Sequence, residues 1–131
     1  MPWMGYFDRI IKSDVHIILD HVQFEKNSFI NRNRILIDGQ LKFLTVPVKT
    51  SGRFKNNPIK YCEISGNFWA EKHLRTIRSA YQKAQNFKDI YPYFEQYYSQ
   101  NFNKVNLIDI LLDNLNLFSN IFNIKTKFIR S

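Results

Sequence analysis

The sequence contains one cysteine, four glycines and only eleven acidic residues among 131. A single cysteine, Cys62, excludes an internal disulfide, and its apolar neighbours predict a small buried residue. No apolar stretch approaches the length of a membrane-spanning helix, and no signal peptide opens the chain, so we expect a cytoplasmic location. A glycine-rich phosphate loop, a nucleophile elbow and a paired-carboxylate arrangement are also missing. The residue pattern therefore leaves the reaction open.

The composition is that of a folded domain with a preference for anions. A hydrophobic content of 44% and an aromatic content of 16% argue against disorder. Nineteen Lys and Arg residues give a net charge of +8, which favours partners such as nucleic acid, nucleotide phosphates or a membrane surface. The positive charge is spread along the chain without a run of five or six like charges. We therefore expect weak steering of anionic ligands and no dedicated nucleic-acid groove.

The first half of the chain predicts a mixed sheet. Pro2–Lys12 has the pattern of a short aromatic helix. Val15–Leu19 is a nearly continuous apolar run, which predicts a strand buried on both faces of a parallel sheet. Asp38-Gly39 separates Asn33–Ile37 from Leu41–Val48, which indicates a hairpin with a type I′ turn.

The second half predicts helices between two short strands. Asn67 is a candidate N-cap for a helix with a buried stripe at helical spacing, namely Ala70, Leu74, Ile77, Tyr81 and Ala84. Four further segments complete the prediction: strands at Ile59–Ile64 and Lys125–Arg130, and helices at Tyr91–Ser99, with Pro92 near its start, and about Lys104–Phe118. The fold class expected is α/β, a partial mixed sheet with a β-hairpin and a C-terminal run of helices.

Polar residues follow the predicted strand Val15–Leu19. In open α/β sheets, ligands bind at the carboxyl ends of the strands, so Asp20 and Gln23 are placed to orient a polar ligand. A strand-end turn residue and a surface amide explain these two residues equally well.

The segment from Asn31 to Arg34 contains two guanidiniums and two amides. If it is extended, Arg32 and Arg34 share one face and could hold one anion, while Asn31 and Asn33 share the other. A solvated shoulder of the hairpin is the alternative. Lys49 begins the next polar loop, where it could meet a phosphate or simply be solvated.

The three histidines do not have metal-ligand spacing, so we expect no metal site. His16 interrupts an apolar strand and is predicted to be a packed core residue. His21 lies in the loop beside Asp20, and His73 flanks the buried stripe of the first long helix. The pattern identifies no cofactor.

The order and spacing of several motifs resemble the WbqC-like protein family across almost the whole chain. These motifs are Pro2-Trp3-Met4-Gly5-Tyr6-Phe7-Asp8, Ser13-Asp14, Leu19-Asp20-His21-Val22-Gln23-Phe24, Phe29-Ile30-Asn31-Arg32-Asn33-Arg34-Ile35, Leu44-Thr45-Val46-Pro47-Val48-Lys49, Trp69 with Lys72-His73, and Tyr81-Gln82-Lys83-Ala84.

The resemblance implies a bacterial protein of O-antigen or other surface-polysaccharide gene clusters, with a proposed transfer of glycine or a similar acyl group onto a sugar. The substrate would be a small anionic molecule such as a nucleotide-sugar. By position, His73 would be catalytic, because its pKa would suit proton transfer near neutrality. The substrate-binding residues implied are Asp20, Gln23, Asn31, Arg32, Asn33, Arg34 and Lys49, with the two arginines on an anionic group and Asn31 and Asn33 orienting the acceptor.

Two departures from the family pattern concern the ends. Members usually open with a strand ending in His-Gln-Pro or Met-Gln-Pro, and they continue into a further α/β portion. We therefore expect residues 1–131 to form a single, incomplete domain with marginal stability, an unpaired strand edge and little or no activity. A non-catalytic module that binds nucleic acid or another anion is an alternative, as is an inactive gene remnant.

Overall fold

Four α-helices, four β-strands and a short 3-10 helix form the part of the chain that the computed structural model describes, residues 3–52 and 55–131. In chain order they are α1 (Met4–Ile11), β1 (Val15–Ile18), β2 (Arg32–Ile37), β3 (Gln40–Thr45), the 3-10 helix (Ile59–Tyr61), α2 (Phe68–Tyr81), α3 (Phe87–Asn101), α4 (Leu107–Ile121) and β4 (Lys127–Arg130). The α/β class is confirmed. Pro2, which the sequence assigns to the first helix, lies outside the described residues.

Strand β1 pairs in parallel with β4, in a register that places Val15 opposite Lys127 and Ile18 opposite Arg130. The predicted parallel strand and the predicted terminal strand are both confirmed. Burial of β1 on both faces is wrong, because Val15 is 45% and Ile17 56% exposed. Among the described residues the sheet has only these two strands, and its packed face is the one that carries Ile18 and Phe128.

His16, predicted to be a packed core residue, lies on the packed face of β1 but is only partly buried. Its Nε2 atom is 3.0 Å from the Tyr6 hydroxyl, and its ring contacts Phe128 edge to face. Partial burial lowers the pKa of His16, and the nearby Arg9 charge acts in the same direction.

The hairpin of β2 and β3 forms around Asp38 and Gly39, whose φ angles of 48° and 76° are both positive. A type I′ turn requires this conformation at both central positions, so the prediction from the Asp-Gly pair is confirmed. The hairpin is shorter than predicted, since β3 ends at Thr45 and Val48 forms only an isolated bridge with Ile64.

Replacing Gly39 by alanine should lower the free energy of unfolding by about 1 kcal/mol, because an L residue with a Cβ is strained at positive φ. Open space surrounds the added Cβ, so the effect isolates backbone conformation. Chemical denaturation measures it, and Asp38→Asn is the matched control because asparagine tolerates the same conformation. Equal stability of Gly39→Ala and wild type would contradict a type I′ turn.

The predicted strand Ile59–Ile64 is wrong. Tyr61 N–H donates to the carbonyl of Pro58 and Cys62 N–H to that of Ile59, which forms a 3-10 turn. Ile59 and Cys62 are both buried, at the three-residue spacing of such a turn and not at the two-residue spacing of a strand. Burial of Cys62 is confirmed, and it raises the pKa of the thiol.

The three long helices exist where predicted, but their ends differ. Helix α2 follows Asn67, whose side chain makes no capping hydrogen bond, and ends at Tyr81. Ala84, the last predicted member of the buried stripe, therefore lies beyond the helix and is exposed. Helix α3 begins at Phe87, so Pro92 lies within it and not near its start.

Two hydrophobic clusters form the core, and α4 contributes to both. The larger joins the end of the hairpin to α2, α3 and α4, with Trp69, Tyr97 and Leu107 among its members. The smaller packs Phe7 and Ile10 of α1 against Leu115 and Phe118 of α4, beside the β1–β4 sheet.

Candidate functional site

A cavity of about 990 Å³ is lined by members of both clusters. Its wall comes from the start of α1, the end of β1, the segment 29–35 and the facing sides of α2, α3 and α4. Most of the lining is apolar, and the polar side chains are few: Asp20, Asn31, Arg32, Asn33, Arg34, His73, Gln85, Asn86 and Asn114, besides tyrosine hydroxyls. This size and composition are typical of sites for small organic ligands.

Most of the residues predicted as a site line this cavity, but two do not. Gln23 is exposed, and its side-chain amide donates to the Asn56 side chain at 3.3 Å. Lys49 pairs with Glu63 through an Nζ–Oε2 distance of 2.7 Å. Both partners come from segments that follow the hairpin in sequence, so the spacing within residues 23–49 could not reveal these contacts.

Asp20 lies where the two parallel strands end, and its carboxylate is 1% exposed. Its Oδ2 atom accepts from Nε and Nη2 of Arg130, both at 2.6 Å. Such a charge-assisted contact by two guanidinium nitrogens fixes both side chains. The Oδ1 atom is also buried but has no hydrogen-bond partner. Asp20 is therefore a fixed buried charge at the strand end, and Arg130 supplies its counter-charge.

The predicted pair of arginines shares one face of β2. The guanidinium of Arg32 lies 4.4 Å from the centre of the Phe43 ring, and that of Arg34 lies 5.9 Å from the same ring. Arg34 also lies 5.5 Å from the ring of Phe29, and Arg32 donates to the carbonyl of Asn27. The two cations thus lie together on an aromatic surface at the edge of the cavity.

The side chains of Asn31 and Asn33 both form hydrogen bonds within the hairpin segment. Asn31 Nδ2 donates to the carbonyl of Val46 at 2.8 Å, and Val46 N–H donates to the carbonyl of Asn31. Asn33 Oδ1 accepts from the backbone N–H of Arg34 at 2.7 Å. These bonds hold the segment that carries the arginines in its extended form.

His73 is 6% exposed and is held at both ring nitrogens. Because Thr45 offers a carbonyl oxygen 3.0 Å from Nε2, that nitrogen must donate, and Nδ1 accepts from the Tyr98 hydroxyl at 3.3 Å. Burial lowers the pKa of His73 to about 4, although the bond to Thr45 acts in the opposite direction. The expectation of a pKa near neutrality is therefore wrong. The geometry makes His73 a neutral link between α2 and the end of β3.

Sequence reasoning missed much of the cavity wall. Aromatic residues of α3 line it, and burial raises the pKa of both Tyr97 and Tyr98. The sequence predicts an aromatic helix here, but nothing in the pattern distinguishes a cavity wall from filled core. Arg130 was also missed as the partner of Asp20, since a cation in a terminal strand carries no signal of its contact.

The family model for the WbqC-like protein family matches residues 1–131, the whole chain. The chain belongs to the WbqC-like protein family. It is 41% identical over 90 residues to the uncharacterized protein Rv1507c of Mycobacterium tuberculosis, an alignment that covers 69% of this chain and 38% of that relative. The chain thus matches well under half the length of this relative. No solved structure matches the chain.

No helix within 3–52 and 55–131 is both long and apolar enough to cross a membrane. In the same residues, no group of three or more His, Cys, Asp or Glu side chains is arranged to hold a metal ion.

Proposed function

We propose that this WbqC-like chain binds a small metabolite in the cavity, and that the whole protein transfers glycine or a similar small acyl group onto a sugar in O-antigen or other surface-polysaccharide biosynthesis. The observation that carries the proposal is the convergence of Asp20 and the Asn31–Arg34 segment on one largely apolar cavity at the ends of two parallel strands. The cytoplasmic location expected from the sequence is part of this proposal.

The cavity wall supports separate roles for its polar groups. Arg32 and Arg34 bind an anionic part of the ligand through guanidinium donors, which suit phosphate and carboxylate oxygens. Asp20 supplies a fixed negative charge for a hydroxyl or amine of the sugar. Asn33 orients the acceptor, while Asn31 holds the hairpin backbone. Gln23 and Lys49 would reach the ligand only by leaving Asn56 and Glu63.

In the proposed transfer, an oxygen or nitrogen of the sugar forms a bond to the acyl carbon. The bond between that carbon and the leaving group of the donor breaks, and the proton lost by the acceptor passes to the leaving group. A catalytic role of His73 in moving this proton stays a prediction, and its two hydrogen bonds and low pKa oppose such a role. We assign His73 instead to positioning of the hairpin against α2.

Filling the cavity should abolish ligand binding without unfolding the protein. Ile90 is only partly buried and lines the cavity, so Ile90→Trp places an indole in that space. We expect a loss of at least about tenfold in affinity for any amino sugar or nucleotide-linked sugar that binds the wild type, measured by calorimetry. Ile11→Trp on the exposed side of α1 is the matched control and should bind as the wild type does.

Two results would overturn the proposal. One is equal sugar binding by Ile90→Trp and Ile11→Trp, which would place the ligand elsewhere. The other is the absence of an acylated sugar, detected by mass spectrometry, when the full-length protein is offered glycyl and other acyl donors with such acceptors.

A further inference from the structure

The outer face of the hairpin is an exposed surface that combines aromatic, aliphatic and cationic side chains. Ile35 and Ile37 of β2 are buried, so the alternating residues point away from the core. We use the term hairpin outer face for Phe29, Arg32, Arg34, Leu36, Leu41 and Phe43. Its four apolar members are between 48% and 62% exposed, although Arg34 lies opposite Phe43 and Leu36 opposite Leu41 across the strands.

The two arginines of this face are oriented but not neutralised. Neither forms an ion pair with a carboxylate of the described residues. A guanidinium that lies over a ring leaves the N–H groups in its own plane able to bind phosphate oxygens. Arg34 is exposed, whereas Arg32 already donates from Nη2 to the carbonyl of Asn27 and its Nε is buried without a partner. The positions are two residues apart on one strand, a spacing of about 7 Å, so both can reach neighbouring phosphates of one ligand.

The aromatic part of the face offers a stacking surface beside these cations. The rings of Phe29 and Phe43 are 6.3 Å apart and tilted by 45°, and Phe29 is the more exposed of the two. A planar heterocycle such as a nucleobase can stack on an exposed phenyl ring. A nucleoside diphosphate has both parts, a planar base and two adjacent phosphates.

We propose that the hairpin outer face binds the nucleoside diphosphate part of a nucleotide-linked sugar, with the base on Phe29 and the diphosphate on Arg34 and Arg32. This rests on the proposed function, because Phe29 and both arginines also line the cavity and would direct the attached sugar into it. A single exposed stack with two cations suits a small nucleotide. Nucleic acid would require a longer track of phosphate contacts.

Titration of the full chain with UDP and ADP at low salt tests the proposal, with inorganic pyrophosphate and uridine as partial ligands. We expect both diphosphates to bind, and each partial ligand to bind at least about tenfold more weakly. Arg34→Gln should weaken UDP binding about tenfold, as should Phe29→Leu. The controls are Arg75→Gln on α2, with the same loss of charge, and Phe68→Leu, with the same loss of an exposed ring. Neither should change the affinity.

Three outcomes would overturn the proposal: no binding of either nucleotide, equal affinities for pyrophosphate and UDP, or steeply salt-dependent binding of oligonucleotides far tighter than that of UDP. Ile90→Trp separates this proposal from the previous one, because UDP carries no sugar on its terminal phosphate to enter the cavity and should bind that variant normally. If nucleotides fail to bind but a free sugar still binds in an Ile90-dependent manner, the hairpin outer face is not a nucleotide site and the cavity proposal stands.

Discussion

Arg130→Met is expected to lower the free energy of unfolding by about 3 kcal/mol, or roughly 10 °C in melting temperature. The reason is that Asp20 would lose its counter-charge. Asp20 is 1% exposed, and Arg130 is its salt-bridge partner in the described part of the chain. Removal of the guanidinium leaves a largely buried carboxylate without its counter-charge, which is more costly than the loss of an exposed pair. Thermal and urea denaturation measure the effect.

Lys127→Met is the matched control, since Lys127 is an exposed cation on the same strand. Its stability should remain within about 0.5 kcal/mol of the wild type. Combining Asp20→Asn with Arg130→Met should restore part of the loss, because no uncompensated charge remains in the double variant. If Arg130→Met and Lys127→Met melt at the same temperature, the buried ion pair does not hold the two strands as described.

Between pH 7 and pH 4, protonation linked to His73 should lower the free energy of unfolding of the wild type by about 3 kcal/mol. The variant His73→Gln should not show this loss. The pKa of His73 falls from 6.5 in the unfolded chain to about 4 in the fold. As the pH drops below 6.5, the unfolded state binds a proton that the folded state does not bind. His73 therefore lowers the free energy of unfolding progressively as the pH falls below 6.5. Above pH 7 this loss is absent, because His73 is neutral in both states.

Glutamine is the informative substitution because its amide can still donate to Thr45 and accept from Tyr98 without titrating. Urea denaturation at several pH values should show that the free energy of unfolding of the variant rises relative to that of the wild type as the pH falls. Parallel curves for His73→Gln and the wild type would contradict a lowered pKa of His73 in the fold.

The elements that could be predicted from the sequence are those whose information is local. Asp38 and Gly39 specify the hairpin turn by themselves, and the apolar spacing of α2 specifies a helix with a buried side. Exposure of Val15 and Ile17 could not be predicted, because it depends on which elements pack against the sheet. The prediction of a strand at Ile59–Ile64 was wrong for another reason. A short apolar run fits the spacing of a strand and that of a 3-10 helix equally well.

The candidate site also has features that could be predicted from local sequence and features that could not. The shared face of Arg32 and Arg34 follows from strand alternation and is confirmed by their contacts with one ring. The low pKa of His73 could not be predicted, since it arises from burial among residues distant in sequence. Gln23 was assigned to the site by its proximity to Asp20 along the chain, but it lies on the surface instead.

The pairing of β1 with β4 also determines the order in which the protein can fold. The hairpin joins residues close in sequence and can form within microseconds, whereas β1 and β4 are separated by nearly the whole chain. Closing so long a loop has a large entropic cost, so the parallel sheet forms only after the helices between its strands have packed. On the ribosome, β1 remains without its partner until residues 127–130 have emerged.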